Sequence, residues 1–453
     1  MENASILHEF ANNVLHNLFK PLLLFFYMGF LIPILRVPFE FPKVAYQAIT
    51  IFLLIAIGWH GGEELASLGT HEFMQAGGFM VIGFITNCAI GYIAYLFLRG
   101  MTKLRRIDAA TIGAYYGSDS AGTFVTCVGV LTGLVLAQKA AQEAGALPAQ
   151  LSPYENFAYA QYMPVMLAVM EIPGCLVGLA QISRLRRTGM DRWGNMPDEP
   201  GYNQPPAAAP AAHGHGHDEG HDGHGHGAHA STVKRVHGEP SGGTATAVAD
   251  EEELNSPAVA TAPQRKSGGL LDPKVLHEVF LNPGLYLLFG GILIGFIGRR
   301  QGPSVTAVDD PFFVTMFQGV LCLFLLEMGM TACQRLRDLK TAGVPFILFG
   351  IIAPNIFATI GIVVAHLYSH ALGEPFTLGT YPLFAVLCGA ASYIAVPAVQ
   401  RMAIPEASPT LPLAASLGLT FSYNVTIGIP LYIEIAKAIT KAWPVVEAAA
   451  HGA

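Results

Sequence analysis

Midway along an apolar stretch the chain reads Gly117-Ser118-Asp119-Ser120-Ala121-Gly122, two glycines bracketing three polar residues of the kind that cap helices. Glycine costs about 1 kcal/mol relative to alanine inside a helix, and Ser and Asp side chains compete for the backbone, so this segment predicts a helix break. A second segment, Gly389-Ala390-Ala391-Ser392-Tyr393, is followed by Pro397, whose missing N–H suits the first turn of a new helix. Non-helical backbone at membrane depth survives only where protein buries it or a wet cavity accepts it. Two such breaks facing each other bring free N–H groups and two positive helix ends to one centre, and Ser120, Thr123 and Ser392 add hydroxyls. That is a site for a small anion. For a single segment, close packing of small residues between helices is the better account. Two at matching positions favour the site, with Gly117, Ser118, Ser120, Ala121, Gly122, Thr123, Ala391, Ser392 and Tyr393 lining it.

Carboxylates at membrane depth are the second chemical signal, because inserting one costs on the order of 3 kcal/mol. Three lie well inside apolar spans: Asp119, Glu171 and Glu327. Asp119 falls in the expected break, where it can also act as a helix cap. Glu171 precedes Pro173 in a span whose counterpart carries Thr420, Ser422 and Asn424. Carboxylate, hydroxyl, amide and freed carbonyl oxygens make a hard-oxygen set suited to Na⁺, or the carboxylates carry protons. Glu327 lies nearer a span end, where pairing with Arg335 accounts for it equally well. Glu63 and Glu64 are placed at the outer rim, in solvent.

The elements that must hold these groups are membrane helices. Of 453 residues 52% are hydrophobic and 13% charged, about half the charged fraction of a soluble domain. The net charge of −7 and the lack of a basic face exclude nucleic acid as a partner. The six cysteines are widely spaced in apolar stretches and read as small buried hydrophobes rather than disulfides or metal ligands. A bilayer core of about 30 Å needs roughly 20 apolar helical residues. Ten stretches qualify: Leu18 to Leu35, Val44 to Gly62, Met74 to Leu98, Ala109 to Leu136, Phe157 to Ile182, Leu281 to Ile297, Pro311 to Ala332, Ala342 to Tyr368, Pro375 to Gln400 and Leu411 to Ile433.

The fold expected is therefore an all-α polytopic membrane protein, embedded in lipid, with ten transmembrane helices. No cleavable signal peptide is evident. Lys and Arg near the span ends set the orientation. With the N-terminus outside, Arg36, Lys43, Arg99, Lys103, Arg105, Arg106, Arg184, Arg186, Arg187, Arg335, Arg337, Lys340 and Arg401 face inward. Lys20, Lys139, Arg299, Arg300, Lys437 and Lys441 face outward. The excess inside puts both termini outside. Five spans per half, an odd number, then force the second half to enter with opposite polarity, the arrangement of inverted-repeat transporters. The halves rhyme: Gly117 falls opposite Gly389, Ser120 opposite Ser392, and Ile172-Pro173 opposite Ile429-Pro430. The interrupted helices are the fourth and the ninth.

This divides the chain into a first membrane half (residues 1–183), a cytoplasmic insert (184–274), a second membrane half (275–440) and a tail (441–453). The insert is rich in Ala, Pro, Gly and His, then acidic at Asp250 to Glu253, and such composition predicts disorder. His213, His215, His217, His221, His224, His226 and His229 are spaced to wrap a divalent ion loosely, as a Zn²⁺ or Ni²⁺ buffer or sensor. A solvated linker is the plainer account. A metal-responsive membrane protein would also need ligands inside the spans, yet His60 and His366 lie near span ends. No nucleophile elbow, phosphate loop or HExxH occurs, so an enzyme is not expected and no cofactor is called for.

These residues resemble the sodium-dependent bicarbonate transporter family. The similar stretches are HGGEELA at His60 to Ala66, DAATIGAYYGSDSAGTF at Asp108 to Phe124, YMPVMLAVMEIPG at Tyr162 to Gly174 and LEMGM at Leu326 to Met330. FGIIAPNIFA at Phe349 to Ala358 and the stretch from Ala391 to Tyr432 complete the set. The likeness covers the membrane part and leaves out the insert. It implies inverted halves, a core moving against a gate in an elevator-like cycle, and a homotrimer in the plasma membrane. It also implies import of HCO₃⁻ with Na⁺ as coupling ion, and regulation in some members by a small PII-like cytoplasmic protein. Carried over, the substrate loop is Gly117, Ser120 and Thr123 with Ser392 and Pro397, and Glu171 stands where a carboxylate is expected. This chain departs from the pattern in having Ala390-Ala391-Ser392-Tyr393 at the second break and Asp119 at the first. A symporter for another small anion or carboxylate uses the same site.

Overall fold

The structure, a computed structural model, describes residues 19–203, 277, 281, 283–339 and 343–445. The His-rich run from His213 to His229, the end of the N-terminus and most of the C-terminal tail lie outside the described residues. The described residues are helical and include no strand. In order they form α1 (Pro21–Leu35), α2 (Lys43–Ser67), α3 (Thr70–Met101), α4 (Arg106–Tyr116), α5 (Ala121–Glu143), α6 (Met163–Met170) and α7 (Ile172–Arg187). Beyond the insert come α8 (Pro283–Gln301), α9 (Phe317–Asp338), α10 (Val344–Leu372), α11 (Thr380–Gly389), α12 (Ala395–Ala403) and α13 (Ile429–Ala442). Six of the helical spans among the described residues are long and apolar enough to cross a membrane, counting α4–α5 and α6–α7 as one span each. The protein is a multi-pass membrane protein.

Helix boundaries follow local chemistry. Pro21, Pro283 and the Ile172-Pro173 pair place proline in first turns, where its missing N–H costs nothing. At Pro173 the same missing N–H interrupts the bonding from α6 into α7, with Glu171 as the joint. The fifth span is shorter than its hydropathy predicts, because residues 157–162 form a loop instead of helix. Its backbone bonds go to a remote turn: the Gly379 N–H donates to the Ala158 carbonyl at 3.1 Å and the Ala160 N–H to Thr380 Oγ1 at 2.9 Å. Between Leu413 and Ile429 the backbone widens into π-helical turns at Ala414–Phe421 and Asn424–Gly428.

Two packed groups emerge. In one, α1 lies against α9 and α2 against α8. The α2–α8 crossing is a backbone-to-backbone approach through Gly58 and Gly62 on one helix and Gly291 and Gly295 on the other. A Cβ on Gly291 would sit 2.7 Å from the Ile55 carbonyl oxygen, so only small residues admit this contact. In the other group α4 packs between α3 and α7, and α11 between α10 and α13. Here the core is aromatic: Phe79 stacks on Tyr368 at 5.2 Å and on Phe384 at 4.5 Å. The end of α13 is held by α10, where His366 Nε2 donates to the Trp443 carbonyl at 2.6 Å and Tyr381 pairs with His366 Nδ1 at 3.1 Å.

Residues 188–203, which composition assigns to the insert, fold back on the membrane part. Asp191 accepts from the backbone of Trp193, Asn195 and Asn203, closing a loop. Arg105 clamps that loop to the start of α4: it grips Asp108 through two bonds of 2.7 and 3.0 Å and donates to the carbonyls of Trp193 and Glu406. Arg106 pairs with Asp198, and Arg186 with Glu406 at 2.7 Å. All six cysteines are free thiols.

Candidate functional site

Both expected breaks are present. α4 ends at Tyr116 and α5 starts at Ala121; α11 ends at Gly389 and α12 starts at Ala395, with Pro397 in its first turn. The two lie side by side, since the Ser392 N–H donates to the Tyr115 carbonyl at 2.8 Å. That bond satisfies a carbonyl near the end of α4 with an amide that α12 has no use for, so each break completes the other.

At the first break Gly117 ends α4 against α3, where a Cβ would lie 2.8 Å from the Gly91 Cα and 3.0 Å from the Asn87 carbonyl oxygen. Ser118 Oγ donates to the Glu171 carbonyl at 2.6 Å, tying the break to the α6–α7 joint. Ser120, not Asp119, is the N-cap of α5: its Oγ accepts from the Thr123 N–H at 3.3 Å and from Thr123 Oγ1 at 3.1 Å. The first-turn amides of Ala121 and Gly122 have no helical acceptor. Asp119, freed of capping, is fully buried, and neither carboxylate oxygen has a hydrogen-bond partner. Glu171, also buried, is its acidic neighbour.

At the second break Ala391 and Ser392 are buried, and Tyr393 lays its ring edge-on to Phe421 at 5.7 Å. The Tyr393 hydroxyl reaches the other break: a methyl group on Gly122 would collide with it. Gly122 is therefore glycine for space, and Tyr393 closes the shared centre from the α12 side.

The tenth-span residues are committed to structure. Thr420 Oγ1 donates to the Gly350 carbonyl at 3.0 Å and meets the Tyr116 hydroxyl at 2.6 Å. Asn424 Nδ2 donates to the Gly389 carbonyl at 3.0 Å, while its Oδ1 accepts from Tyr432 at 2.6 Å. Ser422 donates to the Leu417 carbonyl at 3.3 Å. Asn424 thus supports the last carbonyl of α11 at the second break.

Asn87 is a site residue that spacing and composition did not single out. From α3 its Nδ2 donates to two carbonyls, Met170 and Leu387, both at 3.1 Å. These belong to the α6–α7 joint and to α11, so one amide braces both halves. Its signal was available in the sequence: a lone Asn in an apolar helix must find partners. Gln400 is similar, accepting from Tyr115 at 2.6 Å and donating to the Ser408 carbonyl at 2.9 Å. Glu63, expected in solvent, is buried, whereas Glu64 pairs with His60 at 3.4 Å. Glu327 accepts from Thr331 at 3.0 Å on its own helix. Among the described residues no cluster of three His, Cys, Asp or Glu side chains could hold a metal ion, and the seven insert histidines lie outside them.

A family model described as the Na⁺-dependent bicarbonate transporter superfamily matches residues 21–437, nearly the whole chain. Comparison with curated proteins finds no match.

Proposed function

The chain belongs to the Na⁺-dependent bicarbonate transporter superfamily, and from that premise we propose that it is a secondary active transporter importing bicarbonate with Na⁺ across the plasma membrane. The observation that carries this reading is the Ser392 to Tyr115 bond, which joins two helix breaks beside an unpaired carboxylate. The anion binds where the starts of α5 and α12 converge, against the amides of Ala121 and Gly122 and the hydroxyl of Ser120, with Ser392 and Tyr393 opposite. Helix N-termini bind anions through free N–H groups and a positive dipole end. Na⁺ binds on the carboxylate side, at Asp119 and Glu171. Thr420, Ser422 and Asn424 complete that side: the hydroxyl oxygens of Thr420 and Ser422 keep lone pairs for a cation while donating, and Asn424, bonded through both Nδ2 and Oδ1, holds its shape.

The ten-helix inverted repeat is part of the same reading, and the packing supports it. If α1 corresponds to α8 and α2 to α9, inversion exchanges the α1–α9 and α2–α8 contacts. It likewise exchanges α3–α4 with α10–α11 and α4–α7 with α11–α13. The group built from α1, α2, α8 and α9 then serves as the gate. The group carrying both breaks is the core that moves the site across the membrane, with the insert on the cytoplasmic side.

The test is uptake of labelled bicarbonate by purified protein in liposomes, with and without an inward Na⁺ gradient, at a pH where HCO₃⁻ dominates. The reading requires uptake that depends on Na⁺ and falls at least tenfold in Ser120→Ala. Strong competition by formate or acetate together with weak bicarbonate uptake would move the substrate to small carboxylates.

A further inference from the structure

We propose that the Tyr393 hydroxyl is the specificity-determining group of the anion site: it donates to the oxygen that bicarbonate has and a simple carboxylate lacks. The inference rests on the reading above and deepens it, from where the anion sits to how one anion is told from another. Tyr393 is 9% exposed, and its buried hydroxyl has no hydrogen-bond partner of ordinary geometry. A buried tyrosine hydroxyl normally finds one, and leaving it without costs free energy. The ring cannot simply swing away to find a partner. It packs edge-on to Phe421 at 5.7 Å, and Phe421 packs in turn on Phe26 of α1 at 6.1 Å.

The hydroxyl is aimed at the start of α5. It faces the Ser120 hydroxyl and the Gly122 amide, and a Cβ on Gly122 would collide with it. These are the groups assigned to the anion above, so an anion lodged there meets the Tyr393 hydroxyl. Ser120 Oγ accepts twice from Thr123, at 3.3 and 3.1 Å, which leaves its own proton uncommitted. The amides of Ala121 and Gly122 with that proton suffice for the two oxygens of a carboxylate group. The third substituent of the anion then turns to the wall made by Tyr393 and by Phe324 of α9, whose ring tip lies 3.0 Å from where a Gly122 Cβ would be. Phe324, stacked on Tyr46 of α2 at 6.2 Å, has no polar atom to offer. Of the two wall side chains, Tyr393 alone can read that substituent.

Bicarbonate and acetate are monoanions of nearly one shape, differing by a hydroxyl in place of a methyl group. Helix N-termini and Ser120 hold the shared carboxylate part of both, which gives affinity without selectivity. The phenol meets an oxygen of bicarbonate but stays unpaired against the methyl of acetate or the hydrogen of formate. A buried polar group left unpaired by the wrong substrate is the strongest form of discrimination a small pocket has.

The experiment is Na⁺-driven uptake of labelled bicarbonate by the full-length chain in liposomes, with acetate as competitor. In wild type the acetate inhibition constant is expected to exceed the bicarbonate KM by about tenfold or more. Tyr393→Phe is expected to raise the bicarbonate KM about tenfold and to leave the acetate constant within about threefold, so that selectivity collapses. A merely structural role would shift both constants together. That result, an unchanged bicarbonate KM in Tyr393→Phe, or wild type that binds acetate as well as bicarbonate overturns the inference while Na⁺-driven bicarbonate uptake stands. Wild type that takes up no bicarbonate with Na⁺ overturns the functional reading and this inference with it. Should Tyr393→Phe fail to fold, 3-fluorotyrosine placed at position 393 keeps the ring and makes the hydroxyl a stronger donor. A lower bicarbonate KM with an unchanged acetate constant is then expected, and a KM that does not fall overturns the inference.

Discussion

The two breaks occupy corresponding places in the chain and are built from opposite materials. The first closes itself with side chains: Ser120 caps α5, Ser118 bonds the Glu171 carbonyl, and Asp119 is left over without a partner. The second is nearly apolar, and its new helix, from Ala395, has Ile394 at the cap position with no side-chain cap. Its polar groups are answered from outside, by Asn424 at the Gly389 carbonyl, Asn87 at the Leu387 carbonyl and the Tyr115 carbonyl at the Ser392 amide. Two helix breaks that meet can therefore differ in material, with the polar side chains concentrated in one of them. The polar break is closed by its own side chains, and the apolar break is braced by groups from elsewhere in the chain.

The largest effect that would break this comparison is expected at Asn87, whose amide is bonded to both the α6–α7 joint and α11. Asn87→Ala leaves the Met170 and Leu387 carbonyls without their donor, which should cost about 2–4 kcal/mol. Equilibrium unfolding in detergent measures it, and a loss below about 1 kcal/mol would mean water covers both carbonyls and the breaks are not cross-braced. Next comes Gly174→Ala, whose methyl would sit 2.6 Å from the Ser118 amide nitrogen; about 1–3 kcal/mol of overpacking is expected on the same assay. Gly77→Ala, on α3 with nothing within 4 Å, is the control and should not destabilise.

A finer contrast separates the two serines. Ser120→Ala removes a cap and should cost about 1 kcal/mol as well as transport. Ser392→Ala keeps the amide that bonds Tyr115, so unfolding should barely change while any loss appears as a raised KM for bicarbonate. Equal destabilisation by both would mean the two breaks are closed alike after all. The smallest effect is expected at Ser422→Ala, which removes only a 3.3 Å bond within its own helix and should alter Na⁺ affinity less than threefold in uptake assays.

Much of this was legible before any coordinates. Gly117 to Gly122 and Gly389 to Pro397 announce interrupted helices because Gly, Ser, Asp and Pro each oppose helix for a separate reason. Asp119 and Glu171 stand out because charges are rare at membrane depth. Other features were not legible. Hydropathy cannot separate an apolar loop from an apolar helix, so the loop at 157–162 read as the start of a span although its bonds go to Gly379 and Thr380. The cap at α5 was ambiguous between Asp119 and Ser120, two neighbours able to play the same part. Only the backbone geometry gave it to Ser120 and released Asp119.

The sequence by itself determined the solvent, the helices, the breaks and the kinds of atom at them, because apolar period, proline and glycine act locally along the chain. The tertiary structure decided which polar groups are spent and which are free. Asn424 and Thr420 carry the same donors and acceptors as an ion site, yet each is bonded to a carbonyl many residues away. Asp119 carries the same carboxylate as Asp108, yet one is unpaired and the other gripped by Arg105. Hydrogen bonds are short and directional, so satisfaction depends on which distant segment lies within 3 Å, and only packing sets that distance.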